Sequence, residues 1–115
     1  MTLNQIGNLQ AGKLKTVMPE YANDVDFYPG ITHKFGLGFL INPKTYEGGR
    51  SAGSLAWAGL ANTYFWVDPE RKLCAVILMQ VLPFFDKDAV SLLRNFEHAV
   101  YATAPAPDSA NANFQ

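Results

Sequence analysis

The chain has 115 residues, 49% of them hydrophobic, and 9 Lys plus Arg against 10 Asp plus Glu give a formal net charge of -1. A chain of this size buries one modest core, so a single domain is expected. The balanced charge excludes an overall basic character of the kind that nucleic-acid binding uses, and no run approaches the ~20 apolar residues of a membrane span. We predict no nucleic-acid or membrane partner and, because the start lacks a signal-peptide pattern, a cytoplasmic location.

The first 33 residues predict an irregular lead-in. Their apolar positions are separated by glycines and prolines. Neither the helical period of about 3.6 residues nor the strand period of about 2 persists through them. Such a segment buries little surface by itself, so we expect it to pack against the elements that follow.

Residues 34–82 predict a set of antiparallel strands joined by short links. The predicted strands are Lys34–Asn42, Ser54–Gly59, Asn62–Asp68 and Leu73–Leu82. Pro43 ends the first because it has no amide hydrogen for a ladder, and "PKTYEGGRSAG" follows as a Gly-rich connection. "DPERK" is typical of a tight turn with proline at its second position.

After Pro83 the apolar positions change to helical spacing, which predicts a helix over residues 86–101 with Asp86 as its N-cap. The fold class is therefore α+β, with an antiparallel sheet of three to five strands and the C-terminal helix packed on it. We assign residues 1–101 to one partial domain. Residues 102–115 are rich in Ala, Pro, Asn and Ser and predict a flexible tail.

The last predicted strand, Leu73–Leu82, is apolar on both faces. A strand of that kind belongs in the middle of a covered sheet, yet the meander leaves it at an edge. We expect a second copy of the chain or another polypeptide to pair with that edge. The single cysteine, Cys74, lies in this run, where we expect a small buried hydrophobe.

The order of segments resembles the C-terminal part of the serine β-lactamase-like hydrolases, which include class C β-lactamases, penicillin-binding peptidases and esterases. The resemblance runs from near Asn4 to Tyr101. It rests on "FGLGFLIN", then "GGRSAGSLAWAGLANTYFWVDPE", then a strand ending in "LPF" and a helix of the type "LLRNFEHAVY".

The resemblance implies that Trp57, Ala58 and Gly59 form the third motif of the family, on a strand that lines the active site. It also implies that the amide of Leu60 is one of two oxyanion-hole donors. A glycine suits such a strand because a bare backbone lets a substrate approach closely.

The catalytic serine of the family stands in Ser-x-x-Lys, and the chain has no such spacing. Three residues after each serine stands a residue other than lysine: Ser54 after Ser51, Trp57 after Ser54, Arg94 after Ser91 and Ala112 after Ser109. Tyr21-Ala22-Asn23 matches the second motif, but it lies in a connection into the sheet, where a chance match is expected. The resemblance therefore implies no catalytic residue in this chain.

Other candidate sites have weak patterns. His33 and His98 lack a second ligand at a helical or hairpin spacing, so we expect two exposed polar residues and no metal. "EGGR", residues 47–50, lacks the Lys-Ser/Thr end of a phosphate loop. Tyr64 to Trp66 are expected to be packing aromatics. We predict no cofactor.

Two functions stay open, and whether the chain acts as an enzyme is left undecided. In the first, the chain is a truncated or split member of the hydrolase family that is inactive alone and needs a complementary N-terminal hydrolase segment. In the second, it is a non-enzymatic module that self-associates through the edge of Leu73–Leu82 and binds a small apolar ligand.

Overall fold

The computed structural model describes residues 2–105, and the predicted α+β class is confirmed. The elements are β1 Lys13–Leu14, β2 Val25–Asp26, β3 Lys34–Phe35, β4 Leu40–Ile41, β5 Leu55–Gly59, β6 Thr63–Asp68, β7 Leu73–Ile77 and α1 Lys87–Thr103. Strands β3 to β7 form one antiparallel sheet in chain order, as a meander should. Strands β1 and β2 form a separate two-stranded sheet within the lead-in. Most of the predicted tail, residues 106–115, lies outside the described residues.

Residues 34–42 are a hairpin, and the prediction of one continuous strand is wrong. Phe35 on β3 pairs with Leu40 on β4. Between them the Gly36 N–H donates to the Phe39 carbonyl at 2.8 Å, and Gly38 has φ of 100°. Glycine takes that conformation without the steric penalty of a Cβ, so Gly38 allows "FGLGF" to reverse direction.

Strand β7 ends at Ile77, five residues earlier than predicted. Beyond it the chain packs against the N-terminal end of β6. The Val81 N–H donates to the Ala61 carbonyl at 3.1 Å, and the Thr63 hydroxyl donates to the Met79 carbonyl at 3.3 Å. These bonds take up backbone groups that would otherwise continue the ladder.

The outer edge of β7 pairs with no strand among residues 2–105, since β7 is last in the sheet order. One face of this strand is exposed at Cys74 and Val76, and Leu78 beyond its end is 76% exposed. The prediction that Cys74 is buried is therefore wrong. Its side chain alternates with those of Ala75 and Ile77, which pack towards the core, so the thiol lies on the opposite, uncovered face.

Helix α1 covers the other face of the sheet. Asp86 caps it as predicted, because its carboxylate accepts from the N–H groups of Asp88 and Ala89 at 2.9 and 3.0 Å. Buried Tyr64, Trp66, Leu93 and Tyr101 form the core between helix and sheet. Tyr64 and Trp66 are thus packing residues, as expected.

A buried polar chain fastens the end of β6 to the helix. The Trp66 indole N–H donates to the Tyr101 hydroxyl at 3.1 Å, and that hydroxyl donates to Asp68 at 2.7 Å. The Ser51 N–H donates to the same carboxylate at 2.9 Å. Burial raises the pKa of Asp68, but the bonds from Ser51, Tyr101 and Arg71 outweigh it and hold the pKa below its ordinary value.

A buried ion pair fastens the Gly-rich connection to the same helix. The Arg50 Nε and Nη2 atoms donate to the two carboxylate oxygens of Glu97 at 3.1 and 2.9 Å, and each side chain is 7% exposed. The Tyr28 hydroxyl donates to Glu97 Oε2 at 2.6 Å. His33 lies beside this cluster, with Nε2 3.2 Å from the Tyr46 hydroxyl and only 2% exposure. The expectation of an exposed His33 is therefore wrong, whereas His98 is exposed.

Candidate functional site

The C-terminal half of β5, which carries Trp57, Ala58 and Gly59, has an open backbone edge. Strand β6 pairs with β5 along its whole length, but β4 pairs only with Leu55 and Ala56. Within residues 2–105, no strand therefore pairs with the other edge of residues 57–59. An unpaired edge of this kind can hydrogen-bond an extended ligand.

The turn between β5 and β6 presents the Leu60 amide. The Asn62 N–H donates to the Gly59 carbonyl at 3.1 Å, Gly59 pairs with Thr63, and Asn62 has φ of 61°. These are the features of a three-residue loop with a type I turn followed by a left-handed residue. A trans peptide points its C=O and N–H in opposite directions, so the Leu60 N–H points away from the side on which the Gly59 carbonyl accepts from Asn62. The Leu60 N–H donates to no acceptor within residues 2–105.

Leu60 lines an apolar cavity of about 500 Å³. Its walls come from the β5–β6 turn, from the lead-in and from the segment before α1, and they include Leu14, Val17, Met18, Tyr21, Leu60 and Phe84. The volume lies within the range of roughly 300–1,000 Å³ that small-molecule sites occupy. The cavity could therefore accommodate an apolar group next to an unpaired amide donor.

Trp57 lines a smaller cavity of about 270 Å³ on the lead-in. Its ring packs edge-to-face against Phe35 with centroids 5.3 Å apart. Leu14 of the lead-in lines both this cavity and that at Leu60. Of the residues predicted for this site, Trp57 lines the smaller cavity and Leu60 the larger, whereas Ala58 and Gly59 line neither.

Gly59 is not required by packing inside the chain. A Cβ added there would find its nearest neighbour, Thr63 Cβ, at 3.8 Å, which is an ordinary contact. Its backbone also needs no left-handed conformation, because Gly59 lies in β5. Neither a close contact nor the backbone conformation within residues 2–105 therefore demands a glycine at this position.

The serines among residues 2–105 do not form a nucleophilic site. Ser51 is 3% exposed and Ser54 is 1% exposed, and neither lines the cavity at Leu60. Ser91 lies on the exposed side of α1. Within the described residues the structure therefore brings no serine to the C-terminal end of β5.

The sequence led us to set aside Tyr21-Ala22-Asn23 as a chance match, and it did not lead us to Asn62. Tyr21 and Asn23 line the cavity with Leu60, although the Asn23 amide is engaged, donating to the Phe85 carbonyl at 3.3 Å. Asn62 is fully buried at the base of the turn. Asparagine tolerates a left-handed backbone, so its position between two predicted strands was the available signal.

Comparisons with known proteins show which family the chain resembles. The family model described as Beta-lactamase matches residues 1–99. The chain is 36% identical over 74 residues to monacolin J acid methylbutanoyltransferase of Aspergillus terreus, covering 63% of this chain and 18% of that protein. It is 34% identical over 76 residues to ML-236A carboxylate methylbutanoyltransferase mlcH of Penicillium citrinum, covering 64% and 18%.

Solved structures of similar fold come from the same group of enzymes. Unliganded simvastatin synthase (LovD) of Aspergillus terreus superposes with a TM-score of 0.60 at 36% identity, covering 63% of this chain and 19% of that chain. Its LovD9 mutant superposes with a TM-score of 0.61 at 34% identity, with the same coverage. The chain thus spans less than a fifth of the relatives it matches. In residues 2–105 no helix is long and apolar enough to cross a membrane.

Proposed function

This chain belongs to the β-lactamase family, and on that premise we propose that it supplies the C-terminal wall of an acyl-transfer site. The observation that carries the proposal is the unpaired Leu60 N–H, which lies at the end of an open strand edge and beside an apolar cavity. An amide in that position can donate to the oxyanion that develops when an acyl carbonyl is attacked.

The residues present in this chain decide which groups of the site it supplies and which a second segment supplies. A complementary N-terminal hydrolase segment supplies the serine and lysine of Ser-x-x-Lys. The serine gives its proton to the lysine and attacks the acyl carbonyl, the bond to the carrier breaks, and the carrier leaves with that proton. The acceptor then attacks the acyl-serine ester, loses a proton to the lysine and releases the serine, which is reprotonated. This chain supplies the Leu60 amide, the bare backbone at Gly59 and the apolar walls that hold the acyl group. The chain alone is inactive, because no serine in it has a lysine three residues later.

The reaction we assign is acyl transfer from one carrier to an acceptor. Both curated relatives described above are named as methylbutanoyltransferases. The cavity walls beside Leu60 are apolar, which suits a short hydrocarbon acyl group more than a charged one.

The proposal is tested by replacing Leu60 with proline, which removes the amide hydrogen and keeps the turn. Leu60 occupies the second position of the type I turn, where proline is favoured, and Gly59 before it is extended, as a residue preceding proline should be. We expect Leu60→Pro to lower the kcat of the chain complemented with the N-terminal region of the Aspergillus terreus relative by about 10²–10³. Leu60→Ala, which keeps the N–H, is the matched control and should stay within about 5-fold. Equal kcat values for the two variants would contradict the proposal.

A second candidate function is self-association through β7. Its support is the uncovered outer edge of that strand together with the exposed apolar side chains of Val76 and Leu78. Light scattering after size-exclusion chromatography separates the candidates. A stable dimer that dissociates in Val76→Lys would favour self-association. A monomer that binds the N-terminal hydrolase segment favours the split-enzyme proposal.

A further inference from the structure

We propose that Asn62 is a positioning residue whose side-chain amide fixes the β5–β6 turn and thereby the direction of the Leu60 N–H. Its catalytic meaning rests on the function proposed above. The structural part of the inference, that Asn62 immobilises Leu60, stands on contacts within the chain and is tested separately.

The Asn62 side chain uses all of its hydrogen-bonding capacity. Its Nδ2 donates to the carbonyls of Val81 and Pro83 at 2.9 and 2.8 Å. Its Oδ1 accepts from the Tyr64 hydroxyl at 2.7 Å and from the Asp86 N–H at 3.3 Å. Two donors and two acceptor positions are the full inventory of a primary amide, and the residue has 0% exposure. Such a group is held in one orientation.

The backbone of the turn is fixed from the same side. Asn62 has φ of 61°, which costs a residue with a Cβ about 1–2 kcal/mol, although asparagine tolerates it better than most. Its N–H closes the turn onto Gly59, and the neighbouring Ala61 carbonyl accepts from Val81. The turn is thus bound on both sides of Leu60, by the strand before it and by residues 81–86 after it.

Residues 81–86 also hold the opposite wall of the cavity. The Phe84 N–H donates to the Tyr21 carbonyl at 2.7 Å, and the Asn23 N–H donates to the Phe84 carbonyl at 2.9 Å. Asn62 therefore links the wall that contains Leu60 to the segment that carries the wall of Tyr21 and Asn23. Loss of this link would free Leu60 relative to the cavity that its N–H borders.

The variants separate the side chain from the backbone conformation. Asn62→Gly keeps a positive φ accessible and removes the four side-chain bonds. Tyr64→Phe removes one of the four and serves if the glycine variant does not fold. Lys72→Gly is the matched control, because Lys72 has φ of 50° in the turn between β6 and β7.

The first measurement is the ¹⁵N order parameter of the Leu60 amide in the full chain. We expect a value near that of rigid backbone, about 0.85, in the unmodified chain and in Lys72→Gly, and a value below about 0.6 in Asn62→Gly. Tyr64→Phe should fall between them. If the Leu60 order parameter in Asn62→Gly equals that in the unmodified chain, the inference is overturned. If Asn62→Gly does not fold, the same comparison is made with Tyr64→Phe.

The second measurement is kcat and KM of the complemented enzyme. We expect Asn62→Gly to lower kcat about 10- to 100-fold with KM within about 2-fold, since the donor is displaced while the walls remain. If the unmodified complemented enzyme is inactive, the proposed function fails, and the order parameter still decides whether Asn62 positions Leu60. If the order parameter falls but kcat holds, the positioning has no catalytic role and that part of the inference is refuted.

Discussion

The buried ion pair between Arg50 and Glu97 provides a quantitative test of how the connection before β5 is held. Both side chains are 7% exposed, and the two hydrogen bonds are 3.1 and 2.9 Å long. Removing one partner leaves the other charge buried without a counter-ion, which costs about 3–5 kcal/mol. In a domain of this size we expect Glu97→Leu to lower Tm by about 12 °C or more, at about 4 °C per kcal/mol.

The double variant distinguishes the ion pair from simple loss of contacts. Arg50→Met should cost about as much as Glu97→Leu, whereas Arg50→Met with Glu97→Leu removes both charges and should cost far less than their sum. Urea unfolding followed by tryptophan fluorescence measures all three, because the Arg50 guanidinium lies 5.2 Å from the Trp66 ring.

The surface pair Lys13–Asp26 is the control. Its atoms are 3.1 Å apart but the side chains are 70% and 33% exposed, so Lys13→Met should cost less than about 1 kcal/mol. Additive costs for Arg50→Met and Glu97→Leu, or single costs below about 1 kcal/mol, would refute the reasoning.

Three further predictions concern acid, the β6 terminus and the exposed thiol. Burial, and to a smaller extent the charge of Arg50, lowers the pKa of His33 from 6.5. Below pH 6.5 the unfolded state therefore binds more protons than the folded state, and stability should fall as the pH drops. His33→Gln should remove that step from a titration of Tm against pH. Asp68→Asn should destabilise the fold by about 2–3 kcal/mol in urea titrations, because charge-assisted bonds from Ser51 and Tyr101 are weakened; an unchanged midpoint would contradict this. Cys74 should react with a thiol reagent in the folded chain as fast as in urea to within about 10-fold, and strong protection would indicate a covered β7 face.

The elements with long local patterns were predictable. The helical spacing after Pro83 and the capping carboxylate of Asp86 are local, and the structure has α1 where they place it. The β-forming aromatics of β6 were equally clear. Residues 34–42 misled because their apolar residues suggested one strand, while Gly36 and Gly38 carried the turn that makes two.

Contacts between distant segments could not be predicted from local patterns. Arg50 meets Glu97 across 47 residues, and nothing near either residue indicates the other. The exposure of Cys74 depends on which face of β7 the helix covers, which an all-apolar strand does not reveal.

Residues 57–59 could be interpreted as a motif from the sequence because they are contiguous, and that interpretation stays a prediction. The bonds that fix the β5–β6 turn involve Asn62 and residues 81–86, which only the fold brings together.

The most direct test of the central account is the location of the acylated serine. The chain alone, and the chain complemented with the N-terminal region of the Aspergillus terreus relative, would be incubated with a nitrophenyl acyl ester and a fluorophosphonate, and intact masses recorded for each polypeptide. The account predicts no turnover and no adduct on this chain alone, and an adduct on the supplied segment when ester turnover appears. Turnover by the chain alone with an adduct on one of its own serines would contradict it.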